Sequence, residues 1–237
     1  MHRILTITLL GLALARTGTA QSTASELLES GKRKQERGAT ESAIKDFTKA
    51  IELNKNLIDA YYFRGNAWFD LEDFQKAADD YSRIIGLRPE YKDAFFNRGN
   101  AYYELEKYDL AVKDFSGSIA LDPGYADDWF SRGNALFKLG SFQEALEDFN
   151  KGISLNNADA DAYYDRANTQ YNLKNFESAV ADYTKAIELQ AGTFDYYFNR
   201  ALAYFSLNMD EQACRDLAKA QELGDPDAKE YIRELCK

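Results

Sequence analysis

Histidine, cysteine and clustered carboxylates are the side chains best suited to acid/base, nucleophilic or metal chemistry, and this chain holds few of the first two. Its single histidine is His2, and its two cysteines are Cys214 and Cys236. Without a second ligand pair near either cysteine, no metal centre and no nucleophile with an adjacent base is expected. No GxSxG, P-loop, dinucleotide fingerprint or HExxH stretch occurs. An enzyme would have to work with carboxylates alone, and the adjacent acids Asp79 with Asp80 and Asp127 with Asp128 read as solvated helix ends. The expectation is a protein that is not an enzyme and uses no cofactor. Amides are the other recurring polar group: Asn66, Asn100, Asn134 and Asn168 stand 34 residues apart. Asparagine is a poor residue inside a helix, and its side chain offers both a donor and an acceptor.

The scaffold that must position these groups is globular by composition, with 237 residues, 45% hydrophobic and 29% charged, and only three prolines. The first twenty residues stand apart. A basic start, "MHR", precedes an apolar "ILTITLLGLALA" too short to span a bilayer, and "GTA" places small residues before Gln21. Residues 1–20 read as a cleaved signal peptide and 21–23 as a short lead, so an exported protein, periplasmic or secreted, is expected. A retained N-terminal anchor is the alternative reading, and no cysteine near the cut suggests a lipoprotein. Loss of Arg3 and Arg16 with that segment takes the formal net charge from -10 to -12. So acidic a chain, with no basic run, repels phosphate backbones; nucleic acid is not an expected partner, whereas cationic or neutral ones are.

From residue 24 the chain can be written in rows of 34. Gly31, Gly65, Gly99, Gly133, Ala167 and Ala201 form one column, and Ala43, Ala77, Ala111, Ala145, Ala179 and Ala213 another. Within a row, Phe95, Gly99 and Tyr102 and then Ala111, Phe115 and Ile119 follow helical spacing, so each row predicts two amphipathic helices joined by a tight turn. Pro89 and Pro123 supply stops. A glycine inside a helix costs about 1 kcal/mol relative to alanine, and the glycine column is expected to face the alanine column where the two helices cross. Asp46, Asp80, Asp114, Asp148, Asp182 and Asp216 recur in second helices, and Arg64, Arg98, Arg132, Arg166 and Arg200 in first helices. Because row one has Ser30 at the arginine place, each aspartate is expected to pair with the arginine of the next row, 18 residues on.

These rows resemble tetratricopeptide repeats. Row two matches that pattern with Tyr61, Gly65, Trp68, Ala77, Tyr81 and Pro89, and row three with Phe95, Gly99, Tyr102, Ala111, Phe115 and Pro123. The resemblance implies an all-α solenoid of six tandem helix-turn-helix repeats, at 24–57, 58–91, 92–125, 126–159, 160–193 and 194–225, with a capping helix over 226–237. Row one departs from it with a polar "GKRKQERG", and row six with Asp210 and Leu217. The cap is expected to cover the last repeat with Ala228, Tyr231, Ile232 and Leu235, with Pro226 near its start. In an oxidising compartment Cys214 and Cys236 would either bridge or remain two separate thiols.

The resemblance further implies that first helices line a concave groove. Its fifth places hold Leu28, Tyr62, Phe96, Phe130, Tyr164 and Phe198, its twelfth Gln35, Phe69, Tyr103, Phe137, Tyr171 and Phe205, and its second, from row two, Asp59, Asp93, Asp127, Asp161 and Asp195. Asn66, Asn100, Asn134 and Asn168 at the ninth place either bond between adjacent helices or offer an amide ladder to the main chain of an extended peptide. The aromatic residues carry the same two readings, inter-repeat packing or a peptide wall. Repeats that grip acidic chaperone tails carry basic residues where this chain has Leu28, Asp93 and Asn97, so such a clamp is not expected. The resulting expectation is a non-catalytic exported scaffold that binds a peptide segment of a partner protein in its groove, with no transmembrane span in the mature chain and a monomeric state favoured. The alternatives are a self-association module using outer faces or ends, or a carbohydrate or small-ligand binder.

Overall fold

The computed structural model describes residues 21–236; the leader expected at 1–20 lies outside them. The described residues form thirteen helices and no strand. Helix α1 covers 21–36 and pairs with α2, Thr40–Leu53. The following pairs are α3, Ile58–Asp70, with α4, Phe74–Leu87; α5, Lys92–Glu104, with α6, Tyr108–Leu121; and α7, Ala126–Lys138, with α8, Phe142–Leu155. Then come α9, Ala160–Asn172, with α10, Phe176–Leu189, and α11, Phe194–Ser206, with α12, Asp210–Glu222, before a last short helix, α13, Ala228–Leu235.

The same turn joins the helices of every pair. In row two the Glu72 N–H donates to Phe69 O at 2.9 Å and the Asp73 N–H to Trp68 O at 2.9 Å, which satisfies two carbonyls at the end of α3. The pattern recurs at Gly38, Glu106, Gly140, Lys174 and Asn208. All six residues are left-handed, with φ from 57° at Glu106 to 78° at Gly140. Glu72, Glu106 and Lys174 adopt it without glycine's freedom, at a cost of roughly 1–2 kcal/mol each. Edge-on ring contacts brace the turn: Phe69 on Phe74, Tyr103 on Tyr108, Phe137 on Phe142 and Tyr171 on Phe176, with centroids 5.1–5.3 Å apart.

The chain divides into two compact units, one up to Asp114 and one from Phe115. In the first, Phe47, Tyr81 and Ile84 are fully buried among Ala43, Ala60, Ala77 and Ala94. In the second, Tyr183 packs with Ala167 and Ala179, and Leu217 with Ala201, Ala213 and Ala220. Burial of such apolar side chains, at roughly 25 cal/mol per Å², supplies the main driving force.

The side chain nearest the glycine column is not the expected alanine but a ring. A Cβ on Gly31 would sit 2.4 Å from the Phe47 ring, on Gly65 2.9 Å from Tyr81, and on Gly133 3.1 Å from Phe149. The residue opposite each glycine is the bulky aromatic one turn beyond the alanine, so the missing side chain leaves space for a ring. The alanines are nonetheless fully buried.

The ion pairs also differ from the expected ladder. Each arginine pairs with the aspartate of its own row, 16 residues on: Arg64 with Asp80, Arg98 with Asp114, Arg132 with Asp148, Arg166 with Asp182 and Arg200 with Asp216. Nε and Nη2 donate to the two carboxylate oxygens at 2.6–2.8 Å, a bidentate fork. Row one lacks the arginine because Ser30 and Lys34 hold Asp46 instead, at 2.7 and 2.6 Å. The link to the preceding row comes from Nη1, which donates to Thr48, Ser82, Ser116, Asn150 and Thr184 for the five arginines in turn. Burial pushes the Asp80 carboxyl up against the pull of Arg64, so the pair is held at a desolvation cost.

The adjacent acids are not uniformly solvated either. Asp79 and Asp127 are exposed, whereas Asp80 and Asp128 are buried, and Asp128 accepts a hydrogen bond from the buried Ser118 hydroxyl at 3.0 Å. At the other end α13 packs Ala228 and Ile232 onto the Tyr197 and Leu217 cluster, and Tyr231 meets the Phe198 ring edge-on at 5.1 Å. Leu235 does not join them; it is exposed, and Cys236 packs there instead. Cys214 and Cys236 form a disulfide with Cα atoms 5.7 Å apart.

Two measurements test these contacts. In a double-mutant cycle read by chemical denaturation, Arg98→Ala and Asp114→Ala should each cost about 3–5 kcal/mol and be strongly coupled, whereas Arg98→Ala and Asp80→Ala should add to within about 0.5 kcal/mol. Gly65→Ala should destabilise by about 1–3 kcal/mol through overpacking on Tyr81, while Gly86→Ala, with nothing within 4 Å, should stabilise by up to about 1 kcal/mol.

Candidate functional site

With second helices anchored by the arginine forks, the first helices present the polar and aromatic columns. In the first unit these enclose a cavity of about 360 Å³. Its lining comes from α1 with Gln35, α3 with Tyr62, Asn66, Phe69 and Asp70, and α5 with Asn97 and Asn100, over the Tyr81 side chain from α4. The Tyr81 hydroxyl donates to Asn66 Oδ1 at 2.7 Å, and burial pushes that phenol up, so it remains a donor. This bond fixes the Asn66 amide with its carbonyl turned to the floor, leaving the amide nitrogen to point elsewhere. Gln35 Nε2 donates to Asp70 Oδ2 at 3.3 Å and joins two rows at the rim.

The second unit repeats the device at Asn168, whose Oδ1 accepts from the Tyr183 hydroxyl at 2.6 Å. Asn199 Nδ2 donates to the Tyr164 hydroxyl at 3.0 Å, and the Tyr196 hydroxyl donates to Asp161. Asp165 follows Tyr164 on α9. Burial pushes its carboxyl up to about 6, opposed by a hydrogen bond from Asn134, reinforced by the charges of Asp161 and Asp159, and only weakly relieved by Lys138.

The expected groove residues therefore divide. Tyr62, Phe69, Asn66 and Asn100 line one cavity. Asn134 and Asn168 bond to neighbouring side chains, Asp165 and Tyr183, as Asn66 does to Tyr81. Phe130 is buried against Gly152, whose Cβ would lie 2.2 Å from the ring, and Leu28 is buried too, so neither is a free groove wall. The rings of Phe69, Tyr103, Phe137 and Tyr171 are committed on one side to the turns. Tyr164 makes tilted ring contacts with Tyr183 and Tyr196, with centroids 5.8 and 5.1 Å away. Phe96 and Phe198 are partly buried, the latter under Tyr231. The second-place aspartates Asp59, Asp93, Asp127, Asp161 and Asp195 are all exposed. The sequence reading missed Asp165 and Asn97, at the sixth place of their rows. That column otherwise holds Glu29, Phe63, Ser131 and Asn199, so no repetition marked it.

Among the described residues no group of three or more histidine, cysteine or acidic side chains is placed to hold a metal ion, and no helix is long and apolar enough to cross a membrane.

Paired antiparallel helices, repeated at one fixed period with small residues beneath large rings, define a helical-hairpin repeat protein. The chain belongs to the tetratricopeptide repeat family: models of the TPR or tetratricopeptide repeat match residues 28–92, 99–140 with 133–174, 160–191 and 194–223. It is an all-α solenoid of tandem repeats. Among solved structures it is similar to YrrB, a TPR protein with an unusual peptide-binding site, at 24% identity and a TM-score of 0.70, over 80% of this chain and 98% of that one. It is also similar to pilF of Pseudomonas aeruginosa, at 17% identity and a TM-score of 0.73, over 91% and 99%. A third is MamA of Desulfovibrio magneticus, at 21% identity and a TM-score of 0.69, over 71% and 96%. These likenesses establish the fold. No match is found among curated proteins.

The Asp165 carboxyl gives a pH-dependent expectation. Its folded value lies above the ordinary 3.8, so the folded chain holds a proton there that the unfolded chain releases, and stability falls as pH rises from about 4 to 6. Asp165→Asn should therefore stabilise the protein at pH 7.5 by up to about 3 kcal/mol, and by much less at pH 4.5, in denaturant titrations.

Proposed function

We propose that this protein is an exported, non-catalytic adaptor whose first helices hold an extended segment of a partner protein. The observation that carries this reading is the cavity of the first unit, walled by side chains from α1, α3 and α5. It offers amides at Asn66, Asn97 and Asn100 beside the rings of Tyr62 and Phe69. Amides at regular intervals suit the alternating N–H and C=O groups of a main chain, and rings suit its side chains. Rigid first helices are ordered before the partner arrives, which lowers the entropic cost of binding. The peptide-binding site ascribed to YrrB supports the same use of the fold.

Export is supported by two features. The leader at residues 1–20 has the charge and apolar pattern of a signal peptide, and the Cys214–Cys236 disulfide suits an oxidising compartment. The absence of histidine after His2 removes the commonest general base from the mature chain, which supports a binding role.

Photo-crosslinking in the source's envelope or secreted fraction tests the proposal. With p-benzoylphenylalanine in place of Tyr62, the expected result is a discrete adduct whose mass spectrum maps to one segment of a partner. The same label in place of the exposed Lys49 on α2 should give none. Adducts from position 49 and none from position 62 would move recognition off the first helices.

A further inference from the structure

At the second, sixth, ninth and thirteenth places of the rows the charged residues of the first helices are mostly acids. In the first unit the face that bears the cavity holds Glu29, Glu36, Asp59, Asp70, Asp93 and Glu104, against Lys32, which is tied to Glu29 at 2.8 Å. In the second, Asp127, Asp161, Asp165 and Asp195 stand against Lys138. Second helices mix the signs instead: α2 alone sets Lys45 and Lys49 beside Glu41 and Glu52. The excess of acids belongs to this face and not to the first helices as a whole, which also hold Arg33, Lys34, Lys92 and the five fork arginines.

The acids of this face are poorly neutralised from within. Asp70 receives a neutral amide from Gln35, and Asp161 a phenol from Tyr196. Asp59, Asp93, Asp127, Asp161 and Asp195 recur at the same place of successive rows and are exposed. Carboxylates gathered in this way repel one another and cost stability, a cost that a cationic ligand would remove.

We infer that the first-helix face of the first unit takes an extended, lysine- or arginine-containing segment of a partner protein, its cationic side chains paired with Asp59, Asp70 and Asp93 and its main chain with the amides of Asn66, Asn97 and Asn100. This rests on the adaptor reading above and adds the chemistry of the occupant. Charge complementarity is the argument: a face with amides for the main chain, rings for aliphatic stems and carboxylates for cationic tips matches each part of a lysine or arginine residue. An acidic segment would meet like charge along its length.

The test uses fluorescein-labelled dodecapeptides of alternating lysine and alanine, glutamate and alanine, and serine and alanine, titrated by anisotropy against the full exported chain at pH 7.5. The lysine peptide should bind saturably and weaken steeply between 50 and 500 mM salt. A triple variant, Asp59→Asn, Asp70→Asn and Asp93→Asn, should bind it at least tenfold more weakly. A control triple on second helices, Glu41→Gln, Glu52→Gln and Asp79→Asn, changes net charge equally and should bind within twofold of the parent. Circular dichroism of both triples should match the parent. Equal losses in the two triples would reduce the effect to non-specific attraction and overturn the inference, as would no saturable binding of the lysine peptide. Binding of the serine or glutamate peptide in preference, with adducts at position 62, would leave the adaptor reading standing and sink the basic chemistry alone; lysine-peptide adducts confined to position 49 would sink both.

Discussion

Five guanidinium groups set the geometry on which the rest of this chain depends. From Arg64 to Arg200, two nitrogens of each fork grip the aspartate on the second helix of the same row, and the third reaches a hydroxyl or amide on the row before. A planar fork can do this because its donors have fixed directions; an ammonium could supply the charge without the angles. One side chain thereby sets both how a hairpin closes and where it sits on its predecessor. Since the aspartates are buried, the gain is offset by desolvation, and the forks contribute more to a unique register than to net stability. Hydrophobic burial around Phe47, Tyr81, Phe149 and Tyr183 supplies the stabilisation that the forks direct.

Much of this was legible in the sequence because a fixed period leaves columns. The 34-residue spacing and the helical spacing within each row predict the paired helices, and the proline after Leu87 and Leu121 predicts where second helices stop. Periodicity identifies a face, though, not the depth at which two faces meet. It left open whether Gly65 lies against Ala77 or, four residues further along the same face, against Tyr81. The partner of each arginine was ambiguous for a similar reason: aspartates 16 residues ahead and 18 behind are both at helix-hairpin distances. Ser30 in row one pointed to the wrong choice because Lys34, one turn on, does the arginine's work there. The left-handed turns at Glu72, Glu106 and Lys174 left no composition signal, since the backbone bonds around them override the usual preference for glycine.

The candidate site was legible in outline and not in detail. Columns picked out Asn66, Asn100, Asn134 and Asn168, but not that tyrosine hydroxyls would orient two of these amides or that Asn134 would meet a carboxylate. The aromatic columns serve both readings at once. A ring such as Phe69 braces its own turn with one side and lines the cavity with the other. Asp165 belongs to no column, and a residue that occurs once cannot be found by looking for repetition.

The disulfide at α13 has a consequence for how such an array comes apart. Each hairpin is held by its neighbours, so melting starts where a hairpin has a neighbour on one side only and then advances row by row, like a zipper. The covalent loop from Cys214 to Cys236 keeps α13 tethered to α12 even after their side chains separate, so that a lost contact re-forms faster than its neighbour can follow. Row one has no such tether, and no arginine fork. The fraying front therefore starts at α1 and travels toward the bridge, which gives an otherwise repetitive chain a direction.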